Sequence, residues 1–214
     1  MAFDIMFRQL LPGMGASVSI FVLTLLFSLP LGLLVAFARM SKIKPLQWIT
    51  KFYISIMRGT PLMLQLLVVY FGPYYVFRQN ISTEYRFYAT IIGFSINYAA
   101  YFAEIFRGGI QSISRGQYEG AKVLGFTYKQ TMWHIILPQV VKRVIPPLGN
   151  ETITLLKDTS LVYILAMNDL MRVTRAFVQR DFDTTPFLVA GVFYLVCTAV
   201  LTKILTYVET VSYT

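Results

Sequence analysis

Charged residues are absent from four long stretches of this chain: between Arg8 and Arg39, between Arg58 and Arg78, between Arg86 and Glu104, and between Asp183 and Lys203. Each stretch holds about the 17–25 apolar residues that a helix needs to cross a bilayer. A fifth apolar run opens at Pro146-Pro147 and carries polar residues inside it. The pattern predicts an all-α integral membrane helical bundle, folded as a single domain over residues 1–214, with five transmembrane helices at about 13–38, 61–77, 87–106, 144–167 and 186–207. Residues 1–12 are expected to form a short interfacial lead-in. Pro30 and Gly32 lie inside the first span, where neighbouring helices can satisfy a freed carbonyl. Arg58-Gly59-Thr60-Pro61 interrupts the helical pattern, with Thr60 expected as a cap and Pro61 at the first position of a new helix. Tyr70, Phe71, Tyr74, Tyr75 and Phe77 end the second span with the composition of an interfacial belt.

Composition agrees: of 214 residues, 56% are hydrophobic and only 14% are charged, and the mean hydropathy is +0.60. A soluble domain is excluded. The first run is too long for a signal peptide and no small-residue cleavage site follows it, so it is expected to be a permanent span. The net charge of +9 comes from residues that flank the spans, which argues for loops and against nucleic acid. Cytoplasmic segments would hold Arg39, Lys42, Lys44, Lys51, Arg107, Arg115, Lys122, Lys129, Lys142 and Arg143, and outer segments Arg8, Arg78, Arg86, Arg172, Arg175 and Arg180. This bias predicts an N-terminus outside and a C-terminus in the cytoplasm.

Enzyme chemistry finds no candidate residues. The chain has no GxxxxGK[ST] loop to cradle phosphates and no HExxH pair. His134 is the only histidine and Cys197 the only cysteine, so neither a Ser-His-Asp set nor a metal or disulfide framework is available. No catalytic site, metal or cofactor is expected on this chain. Energy must come from a partner subunit or an ion gradient.

Polar groups inside the spans remain to be explained. A carboxylate at the centre of a bilayer costs about 2.5–3.5 kcal/mol on insertion scales, so it is usually paired or lines a cavity. Glu151, Thr154 and Asp158 are spaced to stack along one helix face, beside Asn150. Lys157 is adjacent to Asp158 and diverges from it by about 100°. Asn97 in the third span and Gln65 in the second are candidates to complete a polar pocket; interhelical hydrogen bonding is the alternative for both. The expected substrate-binding set is therefore Glu151, Asp158, Asn97, Thr154, Gln65 and Asn150. Two carboxylates on one face suit a cationic amino acid such as arginine, lysine or histidine. The helix start at Thr60-Pro61 and the Asn97 amide would meet the substrate's own carboxylate.

Between the third and fourth spans lies a polar, basic loop, residues 108–138. Its segment RGQYEGAKVLGFTYKQTMWHIILP contains Gly116, Gly120 and Gly125, which predict short helical pieces joined by turns. Glu119, Ala121, Gly125, Ile135, Leu137 and Pro138 reproduce the spacing E-A-A-x3-G-x9-I-x-L-P, with Gly120 in place of the second residue. This resembles the EAA loop of permease subunits of bacterial ATP-driven importers. AEIFRGGIQSISRGQYEGA (from Ala103), RGTPLMLQLLVVYFG (from Arg58) and NETITLLKDTSL (from Asn150) are similar to permeases for polar and charged amino acids.

The resemblance implies a type I ABC importer permease in the bacterial inner membrane. It implies a second permease copy or a paralogue, an ATPase subunit dimer that holds the ATP and Mg, and an extracytoplasmic amino-acid-binding protein. It also implies that Gly116, Glu119, Gly120, Ala121, Leu124 and Gly125 belong to a coupling helix docked on the ATPase. A gradient-driven carrier acting without an ATPase is the rival reading. It explains buried carboxylates but not the EAA-like spacing.

Overall fold

The computed structural model describes residues 3–78, 80 and 82–213. The described residues form helices joined by short turns, in the order α1 (Phe3–Met40), α2 (Lys44–Gly59), α3 (Leu62–Phe77), α4 (Tyr85–Gln111), α5 (Arg115–Val123), α6 (Tyr128–Gln130), α7 (Leu137–Asp158), α8 (Leu170–Asp181) and α9 (Thr185–Tyr213). A π-helical turn, Thr131–Ile136, joins α6 to α7, and a 3-10 turn, Thr159–Leu165, continues α7.

The sequence dictates that α1 and α4 form the centre. Gly13, Ser17, Ile20, Thr24, Ser28, Gly32 and Ala36 recur at three- and four-residue steps along α1, and all are buried. Small residues at that spacing let two helix backbones approach closely in a membrane. A Cβ on Gly32 would lie 2.8 Å from Phe102 Cβ and 3.1 Å from the Ala99 carbonyl oxygen on α4. Phe94, Tyr98 and Phe102 of α4 fill the core with Ile20, Leu66, Leu155 and Val162. Leu26, Leu34 and Phe37 point outward from α1. The outward faces of α1 and α9 are apolar, as lipid-facing surfaces are.

Among the described residues, three helices are long and apolar enough to cross a membrane: Arg8–Met40, Tyr85–Gln111 and Thr185–Ser212. The pair α2 and α3 adds a fourth if taken as one broken span, bent by 111° at Gly59–Pro61. The expected fourth span differs from the rest. Its α-helix starts at Leu137, well before Pro146, and ends at Asp158, with the 3-10 turn completing the run. Pro146 and Pro147 sit inside this helix instead of opening it, and Pro138 lies in its first turn instead of ending the preceding loop. The described part of the lead-in, from Phe3, belongs to α1; Met1 and Ala2 lie outside the described residues.

The expected outer segment contains a helix, α8. Asp169 caps it, accepting hydrogen bonds from the Met171 and Arg172 N–H groups at 2.9 and 3.2 Å. Gly13 of α1 presses on this cap: a Cβ there would stand 3.0 Å from the Asp169 carbonyl carbon. Leu10, Leu170, Phe177 and Ala190 seal α8 against α1 and α9.

Candidate functional site

The break between α2 and α3 is built from three side chains. Pro61 is the N-cap of α3, and Leu62 opens the helix. Thr60, expected as the cap, instead turns back to donate to the Ile56 carbonyl at 2.8 Å. Breaking a helix frees carbonyls at its C-terminal end, and α4 and α3 supply the donors. Asn97 Nδ2 donates to the Met57 carbonyl (3.0 Å) and to Gln65 Oε1 (2.9 Å). Gln65 Nε2 shares its two protons among the Met57 carbonyl, the Thr60 carbonyl and Thr60 Oγ1, at 3.0, 3.1 and 2.8 Å.

This corrects part of the expectation. An amide nitrogen has two protons, and both protons of Asn97 are committed. Asn97 therefore has none left for a substrate carboxylate. Asn97 and Gln65 brace the break.

The acidic wall comes from α7. Glu151 and Asp158 are both half-buried and share one face, while Asn150, Thr154 and Lys157 are exposed. Thr154 donates its hydroxyl to the Asn150 backbone carbonyl at 3.1 Å, one turn back. Asp158 Oδ2 accepts from the Tyr98 hydroxyl of α4 at 2.7 Å. Its partner is thus a tyrosine one helix away and not its neighbour Lys157. The charges acting across space on Glu151 are Asp158 and Arg58.

Sequence reasoning missed three residues here. Tyr98 packs beside Tyr101 at a tilt, with ring centroids 6.1 Å apart. The Arg58 guanidinium lies over the Tyr101 ring, 5.2 Å from its centroid. The available signal was the pair of tyrosines beside Asn97 and the lone arginine before Gly59-Thr60-Pro61. Together these side chains form a chain of contacts from Asp158 through Tyr98, which is buried, and then Tyr101 to Arg58 beside the break.

At the other end of α4 lies a helix–turn–helix of different character. After Ser114, in extended conformation, the chain forms α5, which runs unbroken through Gly116 and Gly120. Gly125 ends it with φ +77°. The Gly125 N–H reaches the Lys122 carbonyl at 3.0 Å and the Phe126 N–H reaches the Ala121 carbonyl at 3.0 Å. That pair of bonds is a Schellman motif, which needs a left-handed residue where Gly125 stands. Thr127 and Gln130 then form a capping box that starts α6.

Ala121 is buried beneath this turn. A core of Ile113, Ile136, Val140 and Val144 anchors the hairpin, and Gln139 Nε2 donates to Gln117 Oε1 at 3.1 Å. Gly109 of α4 fits so tightly on α7 that a Cβ would lie 2.2 Å from Val144 Cγ2. The opposite face is exposed: Val123, Leu124, Tyr128 and Trp133 are 87, 75, 75 and 70% accessible. Glu119, Gly116 and Gly120 are exposed on the same hairpin. Exposed large apolar side chains grouped with charges mark an interaction surface.

Comparison with known proteins places this arrangement. Residues 28–210 match the family described as binding-protein-dependent transport system inner membrane component. The chain is 38% identical over 199 residues to the arginine transport system permease protein ArtQ of Bacillus subtilis (strain 168), covering 91% of this chain and 88% of that protein. It is 40% identical over 196 residues to the probable glutamine ABC transporter permease protein GlnM of the same strain, covering 88% and 86%. The glutamate/aspartate import permease protein GltK of Escherichia coli O157:H7 is 35% identical over 209 residues, covering 94% and 92%.

Among solved structures, the crystal structure of an amino acid ABC transporter with histidines superposes with a TM-score of 0.87 at 33% identity, over 98% of both chains. The inward-facing methionine ABC transporter MetNI shares the fold, with a TM-score of 0.73 at 15% identity over 99% of both chains. A match spanning most of the helical bundle, and relatives aligned along nearly their whole length, leave one assignment: the chain belongs to the family of inner membrane components of binding-protein-dependent transport systems, multi-pass permease subunits of ABC importers.

Proposed function

We propose that this chain, as one domain over residues 1–214, forms the translocation path of an ATP-driven importer for a cationic amino acid. The observation that carries the reading is the pair Glu151 and Asp158, two half-buried carboxylates on one face of α7 turned toward the tyrosines of α4. A guanidinium or ammonium group sheds water on entering a bilayer and needs a compensating anion, which the α7 carboxylates supply. The N-terminus of α3 offers backbone donors for the substrate's carboxylate. The relatives' names range over arginine, glutamine and glutamate/aspartate transport, so the choice among amino acids rests on these carboxylates.

Five spans cross the bilayer in this reading: α1, the broken pair α2 and α3, α4, α7 with its 3-10 turn, and α9. The N-terminus lies outside and the C-terminus in the cytoplasm, which puts α5 on the cytoplasmic side. There α5 acts as the coupling helix. Two permease subunits, as a homodimer or with a paralogue, pair with an ATPase dimer that binds ATP and Mg, and an extracytoplasmic binding protein delivers the amino acid. Closure of the ATPase dimer draws the coupling helices together and rocks the spans so that the path opens outward; hydrolysis returns it inward. This chain contributes no catalytic residue.

The test is ATP-driven uptake by the full complex in proteoliposomes. Arginine uptake should require ATP and the binding protein, and Glu151→Gln should weaken arginine binding to the complex by about 2 kcal/mol, as when one partner leaves a desolvated charge pair. Unchanged arginine affinity in that variant, or tight glutamine binding that ignores it, overturns the cationic assignment. Uptake driven by an ion gradient with this chain alone overturns the importer assignment.

A further inference from the structure

Arg58 has no role in the fold comparable to that of its neighbours. Thr60, Gln65 and Asn97 are tied into the break by hydrogen bonds, and Tyr53 of the same helix donates to the Ile96 carbonyl. The Arg58 guanidinium makes no hydrogen bond or ion pair among the described residues; its contact is the face of Tyr101, 5.2 Å from the ring centroid. The residue is exposed, yet it acts across space on two carboxylates, Glu151 of α7 and Glu104 of α4.

Glu104 is already engaged, receiving Arg107 Nε at 3.0 Å. Glu151 makes no hydrogen bond or ion pair among the described residues. The contacts run in order from Asp158 to the Tyr98 hydroxyl that donates to it at 2.7 Å, to the Tyr101 ring 6.1 Å from that of Tyr98, and then to Arg58. One acid, Asp158, stands at one end of this series and an uncommitted guanidinium at the other, with two tyrosine side chains between them.

A site with separated poles of opposite sign fits a molecule with the same separation. Free amino acids with a cationic or amide side chain carry a carboxylate at one end and hydrogen-bond donors at the other. An arginine fork meets a carboxylate through two parallel N–H bonds, a geometry lysine does not reproduce. We infer that Arg58 is a substrate-binding residue that receives the α-carboxylate of the transported amino acid, opposite Asp158 of α7. Resting on the amino-acid reading above, the inference adds what that reading lacks: a side chain at the break that selects amino acids over the corresponding amines. The Tyr101 ring face holds the guanidinium in place and leaves its N–H edges open to a ligand.

The experiment compares each amino acid with its decarboxylated analogue on the purified complex with its ATPase, in lipid nanodiscs. Arginine is paired with agmatine, and glutamine with 4-aminobutanamide. Wild type should bind the amino acid at least tenfold more tightly than the amine. In Arg58→Gln that preference should collapse to within about threefold, through weaker amino-acid binding and unchanged or tighter amine binding. Arg58→Lys, which keeps the charge but loses the fork, should fall between them. A preference that survives in both variants overturns the inference. Loss of amine and amino acid alike in Arg58→Gln, with Arg58→Lys at the wild-type preference, also overturns it, because Arg58 would then only support the fold. Glutamine preference with collapse in Arg58→Gln supports the carboxylate role while overturning the cationic assignment. Binding of no amino acid by wild type overturns both.

Discussion

Asn97 and Gln65 lie on different helices, and their side-chain amides join across the break, Asn97 Nδ2 donating to Gln65 Oε1 at 2.9 Å. Both also donate to the Met57 carbonyl, so a single freed backbone oxygen is held from two sides. The bend between α2 and α3 is thus fixed by α4. Interhelical hydrogen bonds of this kind are worth about 0.6–2 kcal/mol each in a membrane. Asn97→Ala should lower the thermal midpoint of the purified complex, with a cost of about 1–2 kcal/mol. Gln65→Ala should behave alike, and the double variant should cost less than the sum of the singles because the residues share one network. Additive losses would show that the amides act separately.

The crossing of α4 and α7 gives a packing test. A Cβ at Gly109 would stand 2.2 Å from Val144 Cγ2, and Val144 is buried in the core beneath the hairpin. Overpacking of this kind costs about 1–3 kcal/mol. Gly109→Ala should reduce thermal stability by that amount, and Val144→Ala added to it should recover part of the loss. No recovery in the double variant would mean that the backbones, and not this side chain, set the separation.

Much of this arrangement was legible in the sequence, for a physical reason. An unpaired charge is costly in lipid, and the charge-free intervals around 13–38, 87–106 and 186–207 fall inside α1, α4 and α9, which run past them at both ends, furthest at the start of α1. The turn at Gly125 was legible because only a left-handed residue closes the Schellman bonds there. The start of α7 was not, because Pro146-Pro147 reads as a helix opening while the helix accommodates both prolines. Nor was the employment of Asn97: whether an intramembrane amide lines a pocket or braces a backbone depends on which distant carbonyls are freed. Met57, forty positions away in the chain, decides it. Tyr98 and Arg58 were illegible for the same reason, since their partners come from other helices.

Asp169 lies outside the spans, buried at the start of α8, and burial pushes its carboxyl up to about 6 despite the two N–H groups that it accepts. A carboxyl whose folded pKa is raised binds its proton more tightly in the folded state. Stability is therefore greatest below its unfolded value near 4 and declines as pH rises through about 6. Asp169→Asn keeps an acceptor for the cap without the charge. It should flatten the stability profile between about pH 4 and 6 and leave the complex at least as stable at pH 7.5. Asp169→Ala should be less stable than Asp169→Asn at every pH, because the cap is lost. A wild-type profile in Asp169→Asn, measured by thermal unfolding, would assign the pH dependence to another group.

The coupling role proposed for α5 places its sharpest demand on a single residue. Gly125 has φ +77°, and its Cβ position is open space, with nothing within 4 Å. Substituting it therefore strains the backbone without creating a clash inside this chain, at a cost of about 1 kcal/mol for a residue with a side chain in the left-handed region. The hairpin is anchored independently by Ile113, Ile136, Val140 and Val144, so the bundle should still insert and assemble. What changes is the exposed surface that carries Leu124 and Glu119. Gly125→Val should abolish substrate-stimulated ATP hydrolysis by the reconstituted complex, and Glu119→Lys should do so through the charge it reverses at the contact. Both variants should still bind the amino acid. Gly125→Ala, with the smallest side chain, should retain part of the stimulation. Full stimulated hydrolysis and transport in Gly125→Val and Glu119→Lys would remove α5 from the coupling path, while co-purification of the ATPase with each variant separates lost transmission from lost docking.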